Sequence, residues 1–236
     1  MENQILKLYG LSKEEIENSI EDIKQKYQGK VKISIKEKYN DSAIDISAVL
    51  DNTITDAVRE IMQKLGKHVY AENNQTLYEK LAEILMIRNK KICLMEQATG
   101  GIIAMNLMAI EGASKHIVES LVIPSVDAWL TKFDLDPRVI RENSGISSKL
   151  IFMIASSMRR TSLADYYIVA VSSDADGLDV YNLENSNTQN HISLVAIGDN
   201  NGVEIYKQKT TGSVRDRINQ TAKSLCYKLI TELKNN

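Results

Sequence analysis

The chain has 236 residues, 43% hydrophobic and 25% charged, which is enough for one large domain or two small ones. Its 29 basic and 31 acidic side chains give a net charge of −2, which argues against a broad electrostatic surface for nucleic acid or anionic membrane. Two cysteines, Cys93 and Cys226, make neither a disulfide framework nor a cysteine-only zinc site, so a reducing, cytoplasmic setting is expected.

In chain order, Ser12 and Glu15 form a capping-box pattern. Ile16, Ile20, Ile23 and Tyr27 follow at helical spacing, and Gly29 stops that helix. Val31, Ile33 and Ile35 alternate with polar residues as a half-buried strand does; Ile44, Ile46 and Ala48 alternate again after the turn-like Asn40-Asp41. A second helix carries Ile54, Val58, Ile61 and Leu65 and ends at Gly66, and Val69-Tyr70 gives a short third strand. Residues 1–73 thus predict a small α/β domain, a sheet with helices on one side, whose size calls for support from a neighbour.

Residues 74–236 predict a second α/β domain with helices covering its sheet. Thr76 and Glu79 repeat the capping box ahead of Leu77, Leu81, Ile84 and Leu85. Ile92–Met95 reads as a buried strand, Glu96–Gly101 as a tight turn and Ile102–Met108 as a helix. Leu121–Ile123 is the next expected strand, and Ser125 opens a helix ending near Phe133. Asp136-Pro137 caps a short helix, and Ser147 caps one running to about Arg160. Tyr166–Val171 is a third apolar strand and residues 172–190 read as a polar loop. Ile192–Ile197 and Val203–Tyr206 form a hairpin about Asp199–Gly202, and a last helix runs from about Val214 to Leu233. No apolar run approaches the roughly 18 residues needed to span a bilayer, and the first residues lack the apolar core of a signal peptide.

The glycine pair Gly100-Gly101 follows an apolar strand and opens a helix. Backbone amides at such a start favour anions, and Thr99 adds a hydroxyl. There is neither a phosphate loop ending in Lys-Ser or Lys-Thr nor a Gly-x-Gly-x-x-Gly fingerprint. His68 and His116 have no partner at metal-ligand spacing, and His191 reads as a strand-edge residue. Asp174 and Asp176 read as solvated loop carboxylates, and Glu111 and Glu119 are too isolated for an acid/base pair. No metal and no cofactor is expected.

The stretch Leu94-Met95-Glu96-Gln97-Ala98-Thr99-Gly100-Gly101 resembles the Ala-Glu-Ser-Cys-Thr-Gly-Gly signature of the CinA C-terminal domain, also called the PncC or nicotinamide mononucleotide deamidase family. Gly112-Ala113-Ser114 continues the resemblance, and Asn143-Ser144-Gly145-Ile146-Ser147 is similar to the family's His-Gly-Ala-Val-Ser. Ala164-Asp165 with the strand into Val171 matches the strand before its Thr-Gly-x-Ala-Gly-Pro, and Gly212-Ser213-Val214-Arg215 resembles its Gly-Asp-Arg. The resemblance spans residues 76 to 233. The segment before it looks like the KH-like middle segment of full-length CinA proteins, whose larger molybdopterin-binding-like domain is not expected here. The fold implied is a small KH-like α/β domain followed by a three-layer α/β domain, in a homo-oligomer, with a homodimer expected.

The family's activity is amide hydrolysis that releases ammonia, with a serine nucleophile activated by a tyrosine and a lysine. In this chain the nucleophile's place holds Gln97, the next residue is Ala98, and the activating pair falls on Pro124 and Trp129. The Thr-Gly-x-Ala-Gly-Pro segment becomes Ser172-Ser173-Asp174-Ala175-Asp176-Gly177. A carboxamide is not a nucleophile and an indole takes no proton from one. Glu96, Gln97, Thr99, Gly100, Gly101, Ser172 and Arg215 remain as ligand-binding candidates, with no catalytic residue among them. The expectation is a non-catalytic CinA-like protein that binds a small anion or nucleotide or serves as an oligomeric partner module. The alternative is a deamidase with relocated residues, Lys132 beside Ser125 or Ser172. Nucleic-acid binding is disfavoured, because KH domains grip the backbone with a Gly-x-x-Gly loop and this chain has none.

Overall fold

The computed structural model describes residues 2–48, 51–139, 146–172 and 191–235. The chain forms two compact units, Met1–Lys80 and Leu81–Asn236. The first contains β1 (Glu2–Tyr9), α1 (Lys13–Ser19), α2 (Glu21–Lys26), β2 (Val31–Lys38), β3 (Asp41–Ala48), α3 (Asp51–Leu65), a 3-10 turn (Gly66–His68) and β4 (Val69–Ala71). Its antiparallel sheet has the order β2-β3-β1-β4. Leu6, Leu8, Ile35, Ile44 and Ile46 on the strands meet Ile16, Ile20, Ile23, Ile54 and Ile61 on the helices, so the helices cover one face.

Two features of this unit depart from the sequence expectation. The unit opens with a strand, and β1 lies between β3 and β4 with Leu6 and Leu8 fully buried. The helix capped by Ser12 and Glu15 breaks at Ile20 (φ −115°, ψ 12°), and α2 restarts at Glu21. The Ser19 hydroxyl donates back to the Glu15 carbonyl at 2.7 Å, a bond that competes with continuation of the helix. Edge strand β2 carries exposed Lys32, Lys36 and Lys38, a pattern that discourages pairing with a foreign strand. Lys36 reaches Asp45, and Lys7 on β1 reaches Asp41, both at 3.7 Å, so the sheet's face is of mixed charge.

The Thr76–Glu79 capping box is formed in both directions and starts α4 (Leu77–Ile87). Then come β5 (Ile92–Glu96), α5 (Ile102–Met108), a 3-10 turn (Ala113–His116), β6 (Ile117–Leu121), α6 (Val126–Lys132), α7 (Ser148–Thr161), β7 (Tyr166–Ser172), β8 (His191–Gly198), β9 (Val203–Thr210) and α8 (Val214–Asn235). The strand order is β6-β5-β7-β8-β9, with β6, β5 and β7 parallel and β8 and β9 joined antiparallel. The strand expected at Leu121–Ile123 begins at Ile117 instead. The pairing slips between Ile92↔Ile117 and Cys93↔Glu119, so Val118 is an extra residue on β6. That bulge, and the polar Glu119 and Ser120, hide the period of two that marks a strand.

Alternation along the central strands sorts side chains into two layers. Cys93 and Met95 on β5, and Tyr167, Val169 and Val171 on β7, pack with Trp129 and Phe133 and with Leu150, Ile151 and Ile154 of α7. On the other face α5 packs against α8, and α8 against β8 and β9. The result is a three-layer α/β domain. Trp129 is fully buried, and its Nε1 donates to the Ile123 carbonyl at 2.7 Å. Trp129→Ala should therefore lower stability by about 3–5 kcal/mol. Trp129→Phe, which keeps a ring but leaves that carbonyl without its donor, should cost about 1–3 kcal/mol. Urea unfolding followed by circular dichroism measures both; a Trp129→Phe variant as stable as the parent would show that the indole N–H bond contributes nothing.

Candidate functional site

The turn after β5 brings most of the sequence candidates together. Gly100 N–H donates to the Glu96 carbonyl at 2.8 Å, Ile102 N–H to the Thr99 carbonyl at 3.1 Å, and Met105 N–H to the Gly101 carbonyl at 2.9 Å. Gly100 (φ +59°) and Gly101 (φ +85°) are both left-handed, which only glycine adopts without strain in succession. Gly101 is also crowded: a Cβ there would stand 3.0 Å from Val122 Cγ2, whereas at Gly100 it would meet open space.

Gly101 is the N-cap of α5 and has no side chain with which to cap it. The acceptor comes from the strand instead. The carboxylate of Glu96, fully buried, takes Ile103 N–H on Oε2 and Ala104 N–H on Oε1, each at 2.9 Å. Thr99, also fully buried, donates its hydroxyl to Oε2 at 2.8 Å, and Ser120 on β6 donates to Oε1 at 3.3 Å. The first-turn amides offered to an anion in the sequence analysis are thus held by the chain's own anion, with the partial positive charge of the helix start beside it. Cys226 on α8 sits near this carboxylate; burial, then the Glu96 charge, pushes its thiol well above the usual range.

Gln97 turns the other way. Its Oε1 accepts the Ser172 N–H at 2.8 Å, while Ala98 N–H donates to the Ala170 carbonyl at 2.9 Å. The carboxamide thereby continues the β5–β7 ladder one step past the end of β5, in the role of a main-chain carbonyl. Glu96, Gln97, Thr99, Gly100, Gly101 and Ser172 share this strand-end region. Arg215 lies elsewhere on the same edge of the sheet, since β9 runs in the same direction as β5 and β7. β9 is three strands from β5, on the order of 14 Å across the sheet. Arg215 is exposed near the start of α8, eleven residues before Cys226 and so about 16 Å up the helix from it. Ser173–Gly177 and Asn143–Gly145 lie outside the described residues.

The alternative set is laid out differently. Lys132 bonds Glu119 at 3.0 Å and ends α6, whereas Ser125 stands at the N-cap position of its start, about 10 Å away along the axis. Cys93 lies beneath this ion pair, 3.9 Å from Glu119, and burial pushes its thiol up to about 11. Lys132 belongs to the sheet face of Cys93 and Trp129, opposite the face of Glu96. His116 bonds the Lys90 carbonyl at 2.8 Å and His68 the Tyr9 carbonyl at 3.3 Å. Among the described residues no group of three or more His, Cys, Asp or Glu side chains is arranged to hold a metal ion.

The model of the CinA C-terminal domain matches residues 74–234. The chain belongs to this family. A competence-damage inducible protein of Geobacillus sp. (strain WCH70) is 24% identical over 175 residues, covering 70% of this chain and 41% of that protein. One of Halothermothrix orenii is 22% identical over 244 residues, covering 97% of this chain and 55% of that protein. The chain thus spans only part of the length of these relatives. Among solved structures, a competence or damage-inducible protein from Enterobacter asburiae aligns with a TM-score of 0.56 at 20% identity, over 68% of this chain and 99% of that one. A CinA-superfamily protein from Klebsiella pneumoniae aligns with a TM-score of 0.57 at 17% identity, over 69% of this chain and all of that one. These likenesses establish the fold.

The Glu96 cap carries a stability signature. Glu96→Ala leaves two backbone amides and two hydroxyls without their acceptor and should cost about 3–5 kcal/mol. Gly100→Ala should cost about 1–2 kcal/mol for its left-handed backbone, and Gly101→Ala more because Val122 must also move. Chemical denaturation of the three variants checks the order; a Glu96→Ala variant as stable as the parent would show that the carboxylate is not the cap.

Proposed function

We propose that this chain is a non-catalytic CinA-family protein that serves as a homo-oligomeric partner module of the cytoplasm. Its organisation is a KH-like segment at residues 1–73 followed by the CinA C-terminal-like domain at 74–236, where the family match begins. The observation that carries this reading is the state of Gln97. It holds the place of the resembled nucleophile, and its side chain is committed to the Ser172 amide at 2.8 Å. Acyl transfer needs a nucleophile, a base and an oxyanion site within mutual reach. The carboxamide supplies no nucleophile, Trp129 supplies no base, and Lys132 is engaged by Glu119 on the other sheet face.

A second reading keeps a small anion or nucleotide as ligand at the same edge. It is favoured by Gly100, which is exposed and has open space where a side chain would stand, and by the exposed guanidinium of Arg215. The Glu96 carboxylate weighs against it, because it already holds two first-turn amides of α5 and would repel a second anion.

An ammonia-release assay with nicotinamide mononucleotide separates catalysis from its absence. Neither the unmodified chain nor Gln97→Ser should turn over above background, since residues that act as a unit fail as a unit. Clear turnover by the unmodified chain would overturn the proposal. Thermal melting with millimolar phosphate or a mononucleotide should show no shift. A shift that Arg215→Ala abolishes would favour the second reading.

A further inference from the structure

The helix that follows the glycine turn has no charged residue. α5 reads Ile102-Ile103-Ala104-Met105-Asn106-Leu107-Met108. Ile103, Ala104 and Leu107 are buried against the domain, whereas Met105 and Met108 are 62% and 63% exposed. A helix lying on a water-facing surface carries charge on its outer side, and one that is apolar all round is covered on both sides.

Gly101, Met105, Met108 and Gly112 follow one another at steps of four, three and four residues, so they share a stripe of this helix and its exit. Neighbouring side chains extend the stripe at both ends. Val122, 49% exposed, packs over Gly101, and the sulfur of Met86, 36% exposed, packs over Gly112. Next to Met86 in the chain, Ile87 is 75% exposed. The apolar line from Val122 through the two methionines of α5 to Met86 lies wholly within the second unit.

We infer that this stripe is the contact through which two copies of the chain associate about a two-fold axis, an inference that rests on the oligomeric-module reading. Charge favours a second copy over a foreign partner. In an isologous contact each residue near the axis meets its own kind, so a charged residue there would face a like charge. The stripe has none. Area agrees. At roughly 100 Å² for a fully exposed side chain of this size, these five supply about 300 Å² per copy, a fitting apolar centre for a standard interface of about 800 Å² per partner. Unbranched methionines adapt to one another across such a seam. The edge strand nearest this stripe, β6, is poorly suited to pair with a second strand, because its bulge at Val118 breaks the regular row of backbone groups.

Sedimentation equilibrium of the full chain at tens of micromolar tests this. The unmodified chain should run at twice its own mass, and the double variant Met105→Glu, Met108→Glu at its own mass with an unchanged circular dichroism spectrum. A dimer that persists in that variant would overturn this surface while leaving self-association standing; a monomeric unmodified chain would overturn both. Should the double variant fail to fold, Met105→Cys takes its place. Cys93 and Cys226 are buried, so a new thiol at the axis should cross-link the dimer under mild oxidation. Absence of cross-linking in a dimeric Met105→Cys protein would overturn the surface as well.

Discussion

The buried carboxylate of Glu96 organises the second domain. It stands at the end of a strand whose five residues are all buried, and taking a carboxylate out of water costs several kcal/mol unless its oxygens are satisfied. Four donors do so: two amides of α5, the Thr99 hydroxyl and the Ser120 hydroxyl. Bonds to an ionised acceptor are about twice as strong as neutral ones, and the helix start adds its own partial charge. One side chain therefore fixes the end of β5, the entry of α5 and the edge strand β6. The two left-handed glycines follow from it, because the chain must fold back tightly to present the α5 amides to the residue seven and eight positions before them.

This constraint also bears on function. A helix start that faces an open strand end is a natural anion site, but here the anion is built in. Gln97 removes a further donor by accepting the Ser172 amide. Glu96 and Gln97 both turn their side chains onto amides of the chain itself. The outward features of the same turn are of another kind: an uncharged helix with two exposed methionines, and Val122 packed over the second glycine. In the proposed reading, this turn and the apolar helix it presents form a docking element.

Much of the fold was legible in the sequence because it rests on local patterns. Both capping boxes, the β5–turn–α5 run, the Ser147 cap and the β8–β9 hairpin depend on spacing over a few residues. Elements set by distant partners were not legible. β1 is a strand because β3 and β4 flank it, the break at Ile20 depends on a hydroxyl bonding back into its own helix, and β6 carries a bulge among polar residues. At the site, sequence alone marks Glu96, Thr99 and the glycines as belonging together but assigns them to a ligand. Their use for one another needs the carboxylate to reach amides seven and eight positions ahead, which no local capping pattern contains. One signal pointed that way: a helix capped by glycine lacks an acceptor of its own, so one must arrive from elsewhere.

Amide hydrogen exchange of the native protein, read residue by residue by NMR, tests the central claim most directly. Amides in the first turn of a helix have no intrahelical partner and exchange readily. Those of Ile103 and Ala104 should instead be protected to nearly the level of the β5 and β7 ladder, because the Glu96 carboxylate holds them in the core. Exchange of both at the rate of an open helix start would show that the carboxylate does not cap α5, and that its amides are free for a ligand.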